Sequence, residues 1–210
     1  MSAALRADSR MYCRLRFPRL PLALALPLVW LTSPGLLRLA VHRFCRWGAL
    51  RRQAQGRTPL NFALLLLAFA LHRIIIVLTK VDTSNETDID GGVYISDRGN
   101  IVFGSRHTGS GTIVHHRVTI GMRPPGSECP EIGENVWIGP DCIVTGRITI
   151  GAGCTLLPGT VVSRDVPPGC LLEGNPARVV QRNFDNTALR ASLRWNVEAK
   201  DIVAERALAS

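Results

Sequence analysis

Three histidines, His107, His115 and His116, fall within ten residues of one another, and the same region, 82–123, holds Asp82, Asp88, Asp90 and Asp97. Imidazole is the side chain whose ordinary pKa lies near neutrality, so this cluster can supply a general base. A neighbouring carboxylate would fix the imidazole tautomer and stabilise the imidazolium. Three histidines could also hold zinc, but their spacing argues against it, and no metal is expected. His115 and His116 are adjacent, and adjacent residues on a strand face opposite sides, so only one of them is expected to point into a given cleft. The six cysteines, Cys13, Cys45, Cys129, Cys142, Cys154 and Cys170, contain no CxxC pair. They read as small core residues in a reduced compartment rather than as a redox or zinc motif.

The elements that must position these residues follow a period of six. Aliphatic anchors recur at Ile132, Ile138, Val144, Ile150, Leu156 and Val162; reading backward, Ile120, Val114 and Val102 hold the phase, with Thr108 a weaker member. A six-residue unit can carry one short strand and one corner, and three units close a triangular coil whose stacked strands pair in parallel. One anchor per unit fills the axis. The glycines after Ile120, Ile132, Ile138 and Ile150 are expected at corners that need positive φ. A Pro/Gly-rich insert, 122–131, interrupts the anchors and would project beside the histidines as a lid or an inert turn. Cys142 and Cys154 share one phase of the repeat.

The charge is unevenly divided. Residues 1–80 carry 13 Lys/Arg and a single acid, Asp8, whereas residues 81–210 carry 12 Lys/Arg and 15 acids. A basic, apolar extension suits an anionic membrane surface; no nucleic-acid motif is present and none is expected as a partner. Residues 20–31, LPLALALPLVWL, resemble a signal h-region but carry interior prolines and no clear cleavage site. Residues 1–35 read as poorly ordered. Residues 36–80 read as two helices. In the first, Leu37, Val41, Phe44 and Trp47 form the apolar face, Arg38, His42, Arg43 and Arg46 form another, and Gly48 stops it. The second starts at Thr58-Pro59 and runs apolar almost all round to 79. His72 and Arg73 interrupt it, so it is expected to lie in a membrane interface rather than cross. The organisation is therefore a helical extension over 1–80, a repeat domain over 81–182, and a tail over 183–210 forming a helix with Leu189, Leu193 and Val197 on one face.

The repeats, together with the ending VVSRDVPPGCLLEGNPARVV, resemble the hexapeptide-repeat acyltransferases, most closely the serine acetyltransferase branch and its exopolysaccharide-cluster relatives. The resemblance implies an all-β left-handed parallel β-helix with an N-terminal helical extension and a short C-terminal helix. It implies a homotrimer with sites between subunits, and acetyl-CoA as donor. Asp82 matches a family Asp, but Asp97 stands where the branch carries a catalytic His, and Cys129 stands where it carries a second. In the amino-sugar N-acetyltransferase branch a His occupies the place of His116. The resemblance therefore ranks His116 first as base and His107, in Arg106-His107-Thr108-Gly109, second, with Asp82 and Asp97 as carboxylates.

Acyl transfer from a thioester needs a base for the acceptor hydroxyl and a donor for the oxygen where charge develops. The family's donor positions fall on Pro140 and Pro158 for the pantetheine arm, and on Ser163, Arg164 and Arg178 for the CoA phosphates, which suit guanidinium forks. The sequence reading is an O-acetyltransferase acting on a sugar or glycan-type hydroxyl, cytoplasmic and peripheral at the inner face of the membrane. The alternatives are serine O-acetyltransferase, a γ-carbonic-anhydrase-like trimer, and a non-catalytic scaffold.

Overall fold

Strands of two or three residues, each ended by a corner, wind residues 81–173 into a left-handed parallel β-helix of about five turns. In this computed structural model the described residues are 3–56, 58–121 and 128–191. Coil 1 contains β1 (Val81–Thr83), β2 (Asp88–Ile89) and β3 (Tyr94–Ile95); coil 2 contains β4 (Ile101–Phe103), β5 (His107–Thr108) and β6 (Ile113–Val114). Coil 3 contains β7 (Thr119–Gly121), β8 (Glu131–Ile132) and β9 (Trp137–Ile138); coil 4 contains β10 (Ile143–Thr145), β11 (Thr149–Ile150) and β12 (Thr155–Leu156). The last coil has β13 (Val161–Val162), a single bridge from Val166 to Ile150, and β14 (Leu171–Glu173). Strands stack into three sheets, ordered β1-β4-β7-β10-β13, β2-β5-β8-β11, and β3-β6-β9-β12-β14. β15 (Arg178–Gln181) closes the third sheet antiparallel to β14 and so ends the parallel stacking.

The anchors from Thr108 onward fill the axis in the expected phase. Val102 does not: it is 52% exposed, and Phe103 is fully buried in its place. The unit before Phe103 is lengthened and the one after it shortened to five residues, so the register slips by one and returns at Thr108, which pairs with Ile132. A one-residue shift sends a strand side chain to the other face. Cys142, Cys154 and Cys170 point inward two residues before an anchor, as small core residues.

The glycines after the anchors do not adopt positive φ. Gly133 and Gly151 are needed for close approach instead: a Cβ would lie 2.7 Å from the Ala152 nitrogen and 2.4 Å from the Pro168 nitrogen, respectively. The left-handed residues sit further round each corner and include Arg117, Asn135 and Asp141.

Four helices precede the coil: α1 (Ala3–Arg16), α2 (Leu22–Thr32), α3 (Pro34–Gln55) and α4 (Pro59–Thr79). Residues 3–16 and 22–32 are therefore helical and packed on their neighbours rather than poorly ordered. Gly48 does not end α3, which continues to a C-cap at Gly56; Thr58 caps α4, accepting from the Asn61 amide at 3.2 Å. The buried face of α3 is the opposite of the one its apolar spacing suggests. Leu36, Arg38, Leu39 and His42 are buried, whereas Leu37 and Trp47 are exposed.

The reason lies in the first coil, whose backbone edge has no coil beneath it. Side chains of α1 and α3 take the missing ladder bonds. In the third sheet Tyr12 Oη donates to the Ile95 carbonyl at 2.6 Å and accepts from its amide at 3.0 Å. Asp8 accepts from the Gly92 and Val93 amides at 2.8 and 3.3 Å. Arg43 donates to the Ile89 and Asp90 carbonyls at 2.9 and 2.8 Å, and Arg46 to that of Thr87 at 3.1 Å. Arg38 donates to the Thr83 carbonyl at 2.9 Å. A buried carbonyl or amide left without a partner costs about 1–3 kcal/mol, which favours guanidinium groups over leucines on this face. Asp8 and Arg43 also pair with each other, at 2.7 Å.

At the other end α5 (Thr187–Arg190) lies on the coil, with Leu189 buried and Asn186 donating to the Asn135 carbonyl at 2.9 Å. Leu193 and Val197, expected on the same helix, and residues 122–127 of the insert lie outside the described residues.

Candidate active site

One corner of the prism, between the third sheet and the first, gathers four of the candidate residues, Asp97, His116, Pro140 and Pro158. From coil to coil it carries Asp97 and Arg98, then His116 and Arg117, then Pro140 and Asp141, then Pro158 and Gly159, and finally Gly174. Backbone bonds fix this stack. The Arg117 amide donates to Gly99, Asp141 to His116, Gly159 to Pro140, and Val161 to Gly174, at 2.9–3.3 Å. Residues separated widely in sequence are thus brought into one column with ladder spacing of about 4.8 Å.

At the lower end of the column a cavity of about 460 Å³ is lined by Tyr94, Ser96, Asp97, Arg98, His115 and His116, with Leu15, Arg16 and Phe17 contributed by the end of α1 and the turn after it. Both adjacent histidines line it. Strand alternation does not separate them because β6 ends at Val114, and His115 and His116 already belong to the corner.

The two rings differ. His115 is the more buried and packs against Trp137 in a tilted ring contact, with centroids 4.9 Å apart and ring planes at 58°. Burial, with His116 and Arg98 nearby, pushes its pKa down to about 4, so it stays neutral at pH 7. His116 is also lowered from its ordinary value, by burial first and then by the charges of Arg98 and Arg117, against Asp141, which raises it. Both lowering influences favour the neutral imidazole of His116 over the imidazolium.

Asp97 faces the same cavity but accepts from the Gly35 amide at 2.9 Å and pairs with Arg16, so its carboxylate joins the cavity wall to the N-terminal helices. Burial raises its pKa, opposed by Gly35 and Arg16. The carboxylate nearest in effect to His116 is instead Asp141, one coil above, which accepts from Arg117 at 2.6 and 2.5 Å. Asp141, Arg98, Arg16 and Tyr94 escape a reading along the chain. Asp141 lies 24 residues after Arg117, a separation that includes the insert and so hides the corner equivalence.

The remaining acid–base candidates lie elsewhere. His107 is on the second sheet, half-exposed, 3.9 Å from Asp88 and 3.6 Å from Asp90. Asp82 is an outward residue of β1 on the first sheet. The three histidines therefore do not converge within one chain, and among the described residues no group of three or more His, Cys, Asp or Glu side chains is arranged to hold a metal ion. Cys129 lines a different cavity, with Arg106, Glu128 and Arg147.

At the upper end of the coil a second cavity, of about 420 Å³, is lined by Ser163, Arg164, Asp165, Pro176, Ala177 and Arg178 with neighbouring apolar side chains. Arg164 comes from the corner after β13 and Arg178 from the start of β15, so the antiparallel return of the chain brings the two guanidinium groups to one opening. Pro140 and Pro158 lie on the column between the two cavities rather than in either.

Residues 129–164 match the family described as bacterial transferase hexapeptide (six repeats). Serine acetyltransferase 2 of Arabidopsis thaliana is 32% identical over 119 residues, covering 55% of this chain and 37% of the relative. The serine acetyltransferase of Synechococcus elongatus is 30% identical over 158 residues, covering 74% and 60%. The crystal structure of Neisseria gonorrhoeae serine acetyltransferase in complex with serine superimposes with a TM-score of 0.68 at 25% identity, covering 85% of this chain and 68% of that one. The chain thus spans between about a third and three fifths of the length of these two curated relatives.

Proposed function

We propose, for a chain that fits the hexapeptide-repeat acyltransferase superfamily in its serine acetyltransferase-like branch, that it transfers an acetyl group from acetyl-CoA to a hydroxyl. The observation that carries this reading is the column in which Pro140 and Pro158 stack above His116, with the Arg164/Arg178 cavity at the same end of the coil as the top of the column. Three ladder steps of about 4.8 Å separate His116 from Gly174 at that top, a span that suits an extended pantetheine arm. Guanidinium groups at one end suit the nucleotide phosphates, and a neutral imidazole at the other suits the chemistry.

In this reading His116 takes the proton of the acceptor hydroxyl as that oxygen attacks the thioester carbonyl. It returns the proton to the CoA sulfur as the carbon–sulfur bond breaks, leaving an ester and a free thiol. Burial first, and then the charges of Arg98 and Arg117, disfavour protonation of the resting imidazole. Asp141, which favours the charged form, favours the imidazolium that develops during attack. His115, more buried and in tilted contact with Trp137, packs the wall beside it.

The named relatives point to serine as the acceptor, and the glycan-type acceptor draws no support from them. One observation keeps a larger hydroxyl compound as the second reading. The cavity around His116 is several times the size of an amino acid, and Asp97, at the serine enzymes' histidine position, is tied to Arg16 and Gly35. Thiol release from acetyl-CoA, followed with L-serine and with a panel of sugars, separates the two. Release with neither would remove the acetyltransferase reading. We further propose a homotrimer with the column bordering a neighbouring subunit; the sedimentation mass, against a chain of 22.9 kDa, tests it.

A further inference from the structure

The N-terminal helices present a second surface that the acetyl-transfer column does not use. α4 is 21 residues long and is the one single helix among the described residues apolar enough, by length and composition, to cross a membrane, yet little of it is covered. Phe62, Phe69 and Val77 point outward, Val77 at 76% exposure. α2 adds Leu24, Leu28 and Leu31, the last at 85%. Both faces are apolar enough to need a cover, and the question is which.

Charge decides it. Of the ionisable groups in residues 1–80, thirteen are Lys or Arg and one is acidic, and that one, Asp8, is buried against Arg43. Arg6, Arg10 and Arg14 recur every four residues on α1 and are exposed, so they form a basic stripe along one side of that helix. The stripe abuts apolar residues of the next element: Arg10 and Arg14 line one cavity with Phe17, Leu20 and Leu22. A second copy of this surface would bring like charges together. Nucleic acid would leave the leucines and phenylalanines in water. A bilayer bearing anionic headgroups takes both, the guanidinium groups at the phosphates and the apolar side chains among the acyl chains.

We propose that α1, α2 and α4 seat the chain on an anionic phospholipid surface, lying on it rather than crossing it. Crossing is disfavoured because α4 is packed along α3, which carries five arginines, and because His72 of α4 accepts from the buried Arg38. Seating would also bring the histidine cavity to the lipid. Arg16, which pairs with Asp97 in that cavity, donates to the Thr32 carbonyl at the end of α2, next to Leu31. The proposal stands independently of which acceptor the column serves.

The test is flotation of the full-length chain with vesicles of phosphatidylcholine alone or with a third of phosphatidylglycerol. The expected result is at least tenfold more protein floating with the anionic vesicles, and loss of that excess in high salt. Arg6→Glu/Arg10→Glu/Arg14→Glu should reduce flotation to the neutral-vesicle level. So should Leu24→Ser/Leu28→Ser/Leu31→Ser, with an unchanged circular dichroism spectrum in each case. Equal flotation with both vesicle types, or none with either, overturns the proposal. It is also overturned if the leucine variant leaves flotation intact but lowers the solution mass, because the face is then an interface between copies of the chain.

Discussion

At the scale of single residues, the chemistry depends on two adjacent imidazoles that share a cavity but not an environment. Truncating the base should cost about 10²-fold or more in turnover, so His116→Ala should lower kcat by that factor with either acceptor class, measured by thiol release. His107→Ala should leave kcat near normal, because His107 sits on another sheet with Asp88 and Asp90. The pH profile gives an independent handle. His116 is lowered from its ordinary value by burial and by Arg98 and Arg117, so it loses its proton earlier as pH rises. The acid limb of kcat/KM should then fall below the ordinary histidine range near 6.5. Arg98→Gln should move the limb upward; an unmoved limb would assign the base elsewhere. His116 was legible from its place in the repeat. Its partner Asp141 was not, because the unit count between them is broken by the insert.

At the scale of elements, the helices act as a substitute coil and the C-terminal return brings Arg164 and Arg178 to one opening. Tyr12 satisfies both backbone groups of Ile95 from a fully buried position. Tyr12→Phe keeps the ring but orphans an amide and a carbonyl, so chemical denaturation should show a loss on the order of 2 kcal/mol or more. At the opposite end, Arg164→Glu and Arg178→Glu should each raise the KM for acetyl-CoA while leaving the acceptor KM nearly unchanged. A contact remote from the thioester binds ground and transition states alike. Acetyl-pantetheine, which lacks the nucleotide, should be insensitive to both. The element boundaries were readable where a cap or proline marked them, as at Thr58-Pro59. The face of α3 was misread because apolar spacing assumes an apolar partner, and the partner here is a strand edge that wants donors.

At the scale of the whole molecule, acid should unfold the chain through histidines buried neutral. Burial with Arg38 and Arg43 nearby lowers His42 to about 3, and burial lowers His115 to about 4. Both folded values lie below the unfolded value near 6.5, so the unfolded chain binds more protons. Their stabilisation is therefore full above about pH 6.5 and is lost as pH falls toward about 4 for His115 and about 3 for His42. Melting temperature should drop across that window, and His42→Phe should flatten the drop; an equally steep drop in the variant would shift the effect to other groups. The repeat itself was written in the sequence, because a parallel coil of fixed circumference demands an inward side chain every six residues, and Ile132 through Val162 obey it. Composition also separated a basic, apolar third from an acidic remainder. Tertiary structure alone decided three things. It slipped the register at Phe103, where unequal corners absorb the difference. It turned Arg38 and His42 inward, because the first coil's open edge needed polar partners. And it stacked His116, Pro140 and Pro158 into one column, since which residues share a corner depends on the length of every turn between them.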